Sequence, residues 1–200
     1  MITIIDYGIG NIGSVANALS TLGIPYKISG DPVVLIQSQA LILPGVGAAG
    51  VGMKNLKERK LDEVIKQKIA VGIPFLGICL GMQLLFEWSE EGNVNCLGLT
   101  DGVVKKFTSS LKVPQIGWNQ VEMKSDSILL KGIKNNSYFY FVNSYYCEPR
   151  EENAIKGLTD YGIKFCSVVE KNNFYGVQFH PEKSGDSGLQ LLKNFWEAVC

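Results

Sequence analysis

Ile73-Pro74-Phe75-Leu76-Gly77-Ile78-Cys79-Leu80-Gly81-Met82-Gln83 is the stretch whose reading decides the fold. Residues 73–78 form an almost unbroken apolar run, as in a strand buried on both faces, and residues 80–88 follow as an expected helix. Between the two, Gly77 and Gly81 flank Cys79 in a G-x-C-x-G pattern, the strand-to-helix elbow with sulfur in place of a serine oxygen. Such a turn is so sharp that side chains on either side would clash, hence the paired glycines. The elbow sets Cys79 at the carboxyl edge of a sheet and the amino end of a helix. The helix dipole and free N–H groups there favour the thiolate, which is the nucleophilic form. The competing reading is a small buried hydrophobe, the usual fate of a free cysteine.

Working outward, the first half of the chain alternates strand and helix signals. Strands are expected at residues 2–5, 26–29 and 41–43. A helix is expected at 14–22, with Val15, Ala18, Leu19 and Leu22 on one face and Gly23 as its stop. Residues 53–69 fit one amphipathic helix with Leu56, Leu61, Val64, Ile65 and Ile69 inward. This rhythm predicts an α/β fold with a mostly parallel central sheet and helices on both faces. In the C-terminal half, residues 103–107, 121–123, 138–142, 145–148, 165–169 and 173–179 read as strands joined by short polar turns, which predicts added antiparallel strands. A helix over 189–199 closes the chain. No repeat, low-complexity tract or linker interrupts it, so residues 1–200 read as one domain.

Composition narrows the function. The 19 basic and 19 acidic residues cancel, and no Lys/Arg run occurs, which argues against nucleic acid as a partner. No signal peptide and no apolar stretch near the roughly 20 residues of a membrane span is present, so a soluble, cytoplasmic protein without membrane partners is expected. Five cysteines (Cys79, Cys96, Cys147, Cys166, Cys200) are scattered without a CxxC pair, and the chain has one histidine. Reduced thiols, no metal site and no cofactor are the expectation.

A cysteine nucleophile needs a base, and His180 is the one imidazole available. It follows the run Asn173-Phe174-Tyr175-Gly176-Val177-Gln178-Phe179 at a strand end, where sites of parallel sheets lie. Pro181 stiffens the backbone, and Glu182 stands two residues on, suited to orient the imidazole and stabilise its charged form. A lone histidine is more often structural; the strand end, the Pro-Glu pair and the cysteine elbow together reverse that reading. Pro44-Gly45-Val46-Gly47 ends an earlier strand and offers an N–H at Val46 or Gly47 for an oxyanion hole, with the N–H of Leu80 as the second donor. Gln83, four residues after Cys79, shares its helical face.

A rival signal opens the chain. Gly8-Ile9-Gly10-Asn11-Ile12-Gly13 fits G-x-G-x-x-G between a strand and a helix, and Asp31 lies near the spacing of a ribose-binding acid. A dinucleotide-binding module is therefore a second hypothesis. Against it, little chain is left for a dehydrogenase domain, and Gly30-Asp31-Pro32 reads as a turn. An inactive binding domain on the same fold is a third hypothesis, opposed by the intact Cys, His and Glu set.

Gly77-Ile78-Cys79-Leu80-Gly81-Met82-Gln83 with His180-Pro181-Glu182 resembles the class I (triad) glutamine amidotransferases. Asp6-Tyr7-Gly8, Pro44-Gly45-Val46-Gly47, Gly117-Trp118-Asn119, Tyr138-Phe139-Tyr140-Phe141-Val142 and residues 176–184 extend the resemblance to the glutaminase subunits of imidazole glycerol phosphate synthase, over residues 1–197. The resemblance implies that Cys79 attacks the amide of glutamine, His180 moves protons and Glu182 orients it. It also implies that Gly45, Gln83, Ser144 and Tyr145 hold the glutamine. The partner it implies is a TIM-barrel cyclase subunit in a heterodimer, receiving ammonia and making imidazole glycerol phosphate and AICAR, with Lys183 and Ser184 on the face toward it. The chain departs from the family at Gln115 and Asn143, where histidine is common. Those departures leave open a paralogous subunit that feeds another synthase, such as one amidinating a surface sugar.

Overall fold

The computed structural model describes residues 1–108 and 111–199. In chain order the first half runs β1 (Ile2–Ile5), α1 (Ile12–Thr21), β2 (Tyr26–Ser29), α2 (Pro32–Ile36), β3 (Ala40–Gly45), α3 (Ala49–Glu58), α4 (Leu61–Ala70), β4 (Phe75–Cys79) and α5 (Leu80–Gln83). The second half runs β5 (Trp88–Ser89), β6 (Val94–Asn95), β7 (Gly102–Lys106), β8 (Gln115–Met123), β9 (Ser137–Asn143), β10 (Tyr145–Pro149), β11 (Ile155–Asp160), β12 (Lys164–Lys171), β13 (Phe174–Val177) and α6 (Gly185–Val199). One sheet threads the molecule in the order β2-β1-β3-β4-β13-β12-β10-β7-β5-β6, with β8, β9 and β11 as a side ribbon. The β2-β1-β3-β4-β13 half is parallel throughout, and β12, β10 and β7 continue it antiparallel. That is the expected α/β architecture.

Strand alternation divides the core. Ile42, Leu76 and Ile78 face Val15 and Leu19 of α1 and Leu191, Leu192 and Phe195 of α6, while Leu41, Leu43 and Phe75 face Met53, Leu56, Val64 and Ile65. Consecutive strand residues point to opposite faces, so an all-apolar strand is what a sheet covered on both sides requires. No described helix is long and apolar enough to cross a membrane.

Several element bounds differ from the sequence expectation. The single helix expected over residues 53–69 is two, broken at Lys60, which takes a left-handed conformation (φ 57°); Asp62 and Glu63 then complement the new amino terminus of α4. The helix expected over 80–88 stops at Gln83; beyond it the backbone tightens into turns, with the Leu85 N–H bonded to the Met82 carbonyl and the Phe86 N–H to the Gln83 carbonyl. The chain then turns to pair Trp88 with Val103. Strand β8 begins at Gln115, six residues before the expected start, and β11 was not foreseen.

Candidate active site

Cys79 is the last residue of β4 and has φ 54° and ψ −111°, a region non-glycine residues rarely occupy. Its surroundings enforce that turn. A Cβ on Gly77 would stand 2.5 Å from the Gly81 carbonyl oxygen, and one on Gly81 would stand 1.9 Å from the Leu43 carbonyl oxygen. A Cβ on Gly45 would meet Leu80 at 2.6 Å and the Gly81 nitrogen at 2.7 Å. The glycines around the elbow are thus fixed by backbone-to-backbone approach. The parallel register Gly45↔Cys79 sets the Gly45–Gly47 loop beside the nucleophile.

His180 comes to the same place from the other side. Strand β13 pairs with β4 in parallel, Val177 opposite Ile78, so the chain leaving β13 reaches the sheet edge where Cys79 lies. The imidazole Nδ1 is 2.8 Å from Glu182 Oε1, and both side chains are buried. Burial, the largest influence, pushes the imidazole pKa down, but hydrogen bonding and charge from Cys79 and Glu182 outweigh it and raise the pKa to about 10. The imidazolium is the favoured form in this setting, and it faces a sulfur on one side and a carboxylate on the other. Burial raises the thiols of Cys96 to about 11 and Cys166 to about 12, and Cys147 well above its ordinary range. The four described cysteines are unpaired; Cys200 lies outside the described residues.

A cavity of about 400 Å³ opens over this pair, a volume within the range of small-molecule sites. Of the residues the sequence singles out, Val46, Gly47, Leu80, Gln83, Ser144 and Tyr145 line it with Cys79 and His180. Gly45 does not; it is fully buried beneath the loop, filled over by Leu80 and Gly81. Ser144 and Tyr145 enter at the crossover from β9 to β10.

Ser184, expected on a partner face, is buried instead. Its hydroxyl donates to the His180 carbonyl at 2.6 Å and accepts from the Tyr140 N–H at 3.0 Å, while the His180 N–H bonds the Tyr140 carbonyl at 2.9 Å. The serine ties the histidine backbone to β9, so its polar atoms have no need of a partner. Lys183 is exposed and extends over the Tyr140 ring, 6.0 Å from its centroid.

Three features were not legible from local sequence. Gln178 is fully buried; its Nε2 donates to Cys79 Sγ at 3.7 Å and its Oε1 accepts from Gln83 Nε2 at 3.0 Å. Glu91 lines the cavity, and its Oε2 accepts the Ala49 N–H at the start of α3 at 2.8 Å. Val142 offers its carbonyl to the Cys79 thiol at 3.8 Å. Gln178 and His180 both lie past the end of β13, where strand alternation no longer applies, and Glu91 and Val142 carry no local sign either.

The rival nucleotide reading finds little in the structure. Asp31 caps α2 by accepting the Val33 N–H at 2.8 Å, and Gly13 has open space around it where a dinucleotide fingerprint needs close helix packing.

An acyl-transfer site built on a strand-to-helix cysteine is the class this geometry defines. The glutamine amidotransferase class-I family matches residues 3–199, and the chain belongs to that family. Among its relatives, the imidazole glycerol phosphate synthase subunit HisH of Moorella thermoacetica (strain ATCC 39073 / JCM 9320) is 48% identical over 99% of this chain and 95% of its own length. The subunit of the same name from Dehalococcoides mccartyi (strain CBDB1) is 46% identical over 98% of this chain and 97% of its own. A solved glutamine amidotransferase superposes with a TM-score of 0.79 at 19% identity, covering 99% of this chain and 98% of that one, which shows the shared fold.

Proposed function

We propose that the chain is the glutaminase subunit of an imidazole glycerol phosphate synthase, acting as one catalytic unit over residues 1–200. The observation that carries the reading is the convergence of Cys79, His180 and Glu182, drawn from two parts of the chain about a hundred residues apart: Cys79 and His180 line one cavity, and Glu182 bonds the imidazole from behind it. Near-full-length likeness to subunits of that name supports the choice within the family.

In this mechanism the Cys79 thiolate attacks the side-chain carbonyl carbon of glutamine. The oxygen gains the negative charge and is met by backbone N–H groups at Val46 or Gly47 and at Leu80. The imidazolium of His180 gives its proton to the leaving nitrogen as the C–N bond breaks, releasing ammonia and a glutamyl thioester. Water then attacks the thioester while His180 takes its proton, and the C–S bond breaks to free glutamate and restore the thiolate. Gln83, Ser144 and Tyr145 hold the glutamine, and Glu91, the acidic side chain in the cavity lining, suits its α-ammonium group.

The released ammonia requires an acceptor, and a TIM-barrel cyclase subunit in a cytoplasmic heterodimer is the proposed one. The side ribbon supports a docking face: Ile116, Trp118, Tyr138 and Val142 are exposed on one side of β8 and β9, with Lys183 next to Tyr140. A second reading, a paralogue serving another synthase, is favoured by one observation. Gln115 and Asn143 pair in register, both buried, and the Oε1 of the one and Oδ1 of the other lack hydrogen-bond partners. This amide pair departs from the family pattern beside the cavity.

The test is glutamate and ammonia release from glutamine, alone and with the host's cyclase subunit and its nucleotide ligand, with Cys79→Ala as blank. Cys79-dependent release stimulated by the cyclase is expected. Release that ignores the cyclase transfers the proposal to the paralogue, and no release from folded protein overturns the glutaminase reading.

A further inference from the structure

The Gly8–Gly13 loop is left unexplained by the glutaminase reading, yet it reaches the triad. Asn11 Nδ2 donates to Glu182 Oε1 at 3.2 Å, the oxygen that also accepts from His180 Nδ1. Asn11 precedes α1 at the capping position but makes no side-chain cap bond, so its amide is not engaged by the helix. The Glu182 side chain is shut off from solvent, and its Oε2 has no hydrogen-bond partner among the described residues. We infer that Asn11 is a positioning residue of the triad, holding the plane of the Glu182 carboxylate so that Oε1 stays on the imidazole; the inference rests on the glutaminase reading and deepens it.

A carboxylate held by one hydrogen bond is free to rotate and exchange its two oxygens. Here a second donor on the same oxygen removes that freedom, and a bond to a charged acceptor is stronger than one between neutral groups. Among the described residues, no other side chain supplies this restraint. The cavity behind Glu182 is lined by Ser14, Asn17 and Thr21 among others and contains no other ionisable side chain. Helix α1 carries no charge. Of the other elements packed on the Pro181–Lys183 turn, α6 carries Asp186, Lys193 and Glu197, β9 carries Tyr138 and Tyr140, and the turn itself holds Lys183. None of these is a hydrogen-bond or ion-pair partner of Glu182.

Two substitutions separate positioning from packing. Asn11→Leu keeps the volume and removes the donor. It is expected to lower kcat about ten- to hundredfold, the worth of one hydrogen bond to a charged group, with KM for glutamine within about twofold because Asn11 does not line the glutamine cavity. Asn11→Asp keeps the shape and serves equally well before a helix, so a role confined to capping predicts no loss. Positioning predicts a pH-dependent one. At low pH the new carboxyl keeps a proton and can donate it to Glu182, and at higher pH two carboxylates face each other and the restraint is lost.

The measurements are the pH profile of kcat/KM in the complex and, on the isolated chain, the pH dependence of Cys79 alkylation by iodoacetamide followed by peptide mass spectrometry. The second readout needs neither glutamine turnover nor a partner. A loss in Asn11→Asp that grows with pH, with a displaced alkylation profile in both variants, is expected. Wild-type activity and an unchanged alkylation profile for Asn11→Asp across pH 5.5–9 overturn the inference. So does an equal, pH-independent loss in both variants together with a lower melting temperature. If wild type releases no ammonia, the glutaminase reading fails separately, and the alkylation profiles still decide whether Asn11 reaches Cys79 through Glu182 and His180.

Discussion

Gly81→Ala is the smallest perturbation that tests how the elbow is built. The new Cβ would stand 1.9 Å from the Leu43 carbonyl oxygen and 2.9 Å from its carbon, where real contacts do not fall below 3.0 Å. The oxygen must therefore recede by about 1.1 Å. Leu43 is paired with Gly77 in the β3–β4 ladder, so the retreat cannot be absorbed by a flexible side chain. A hydrogen bond near 2.9 Å stretched by that amount is no longer one. Loss of a ladder bond at about 1 kcal/mol and overpacking at about 1–3 kcal/mol together give a destabilisation of about 3 kcal/mol. With a urea m-value of about 2 kcal/mol/M, the midpoint falls by about 1.5 M. The same displacement moves the Gly45–Gly47 loop relative to Cys79, and a misplacement of about 1 Å costs roughly a hundredfold in rate. Urea unfolding and glutamine turnover in the complex measure the two effects. Gly13→Ala is the matched control: it lies in α1 with nothing within 4 Å, so alanine should raise stability by about 0.5–1 kcal/mol and leave turnover unchanged. A Gly81→Ala midpoint within about 0.3 M of wild type, or a rate within about twofold, would refute the argument that backbone approach fixes the elbow.

The raised pKa of His180 has a stability consequence. Below the unfolded value of 6.5 both states carry the proton and the imidazolium contributes fully; as pH rises toward about 10 the unfolded chain releases the proton first and the contribution is lost. The stability of wild type relative to His180→Asn, taken from urea unfolding, should therefore shrink between pH 6.5 and 10, by at most about 5 kcal/mol, and a difference that stays flat over this window refutes the ion-pair assignment. Glu91→Gln keeps an acceptor for the Ala49 N–H while removing the charge from the cavity. It should raise KM for glutamine about tenfold, as expected for one charged contact, with stability within about 0.5 kcal/mol of wild type; an unchanged KM assigns the α-ammonium to another group.

How much of this was legible in the sequence follows from how far apart the deciding atoms lie along the chain. The elbow is written in five consecutive residues, because its constraint is a clash between Gly77 and Gly81, four positions apart. The strands of the parallel half are equally plain, since burial on both faces leaves almost only apolar residues in β1, β3 and β4, Thr3 being the exception. The supports of the site are not local. Ser184 is polar, follows a lysine and reads as surface, yet its hydroxyl is fixed by β9, more than forty residues earlier. Asn11 reads as part of a phosphate loop, and its bond to Glu182 spans 171 residues. Strand β8 misled for a different reason. Ile116 and Trp118 point to solvent while Gln115 points inward, the reverse of what alternation predicts for a ribbon with one wet face. An outward apolar row opposite Tyr138 and Val142 makes physical sense where a second protein covers it. The residue that broke the sequence pattern therefore belongs to the face on which the proposed partner depends. The carbonyl of Val142, on the neighbouring β9, accepts from the Cys79 thiol. In the glutaminase assay with the cyclase, Trp118→Ala should reduce stimulation by the partner while leaving the basal Cys79-dependent rate within about twofold, since Trp118 is an exposed aromatic that does not line the glutamine cavity.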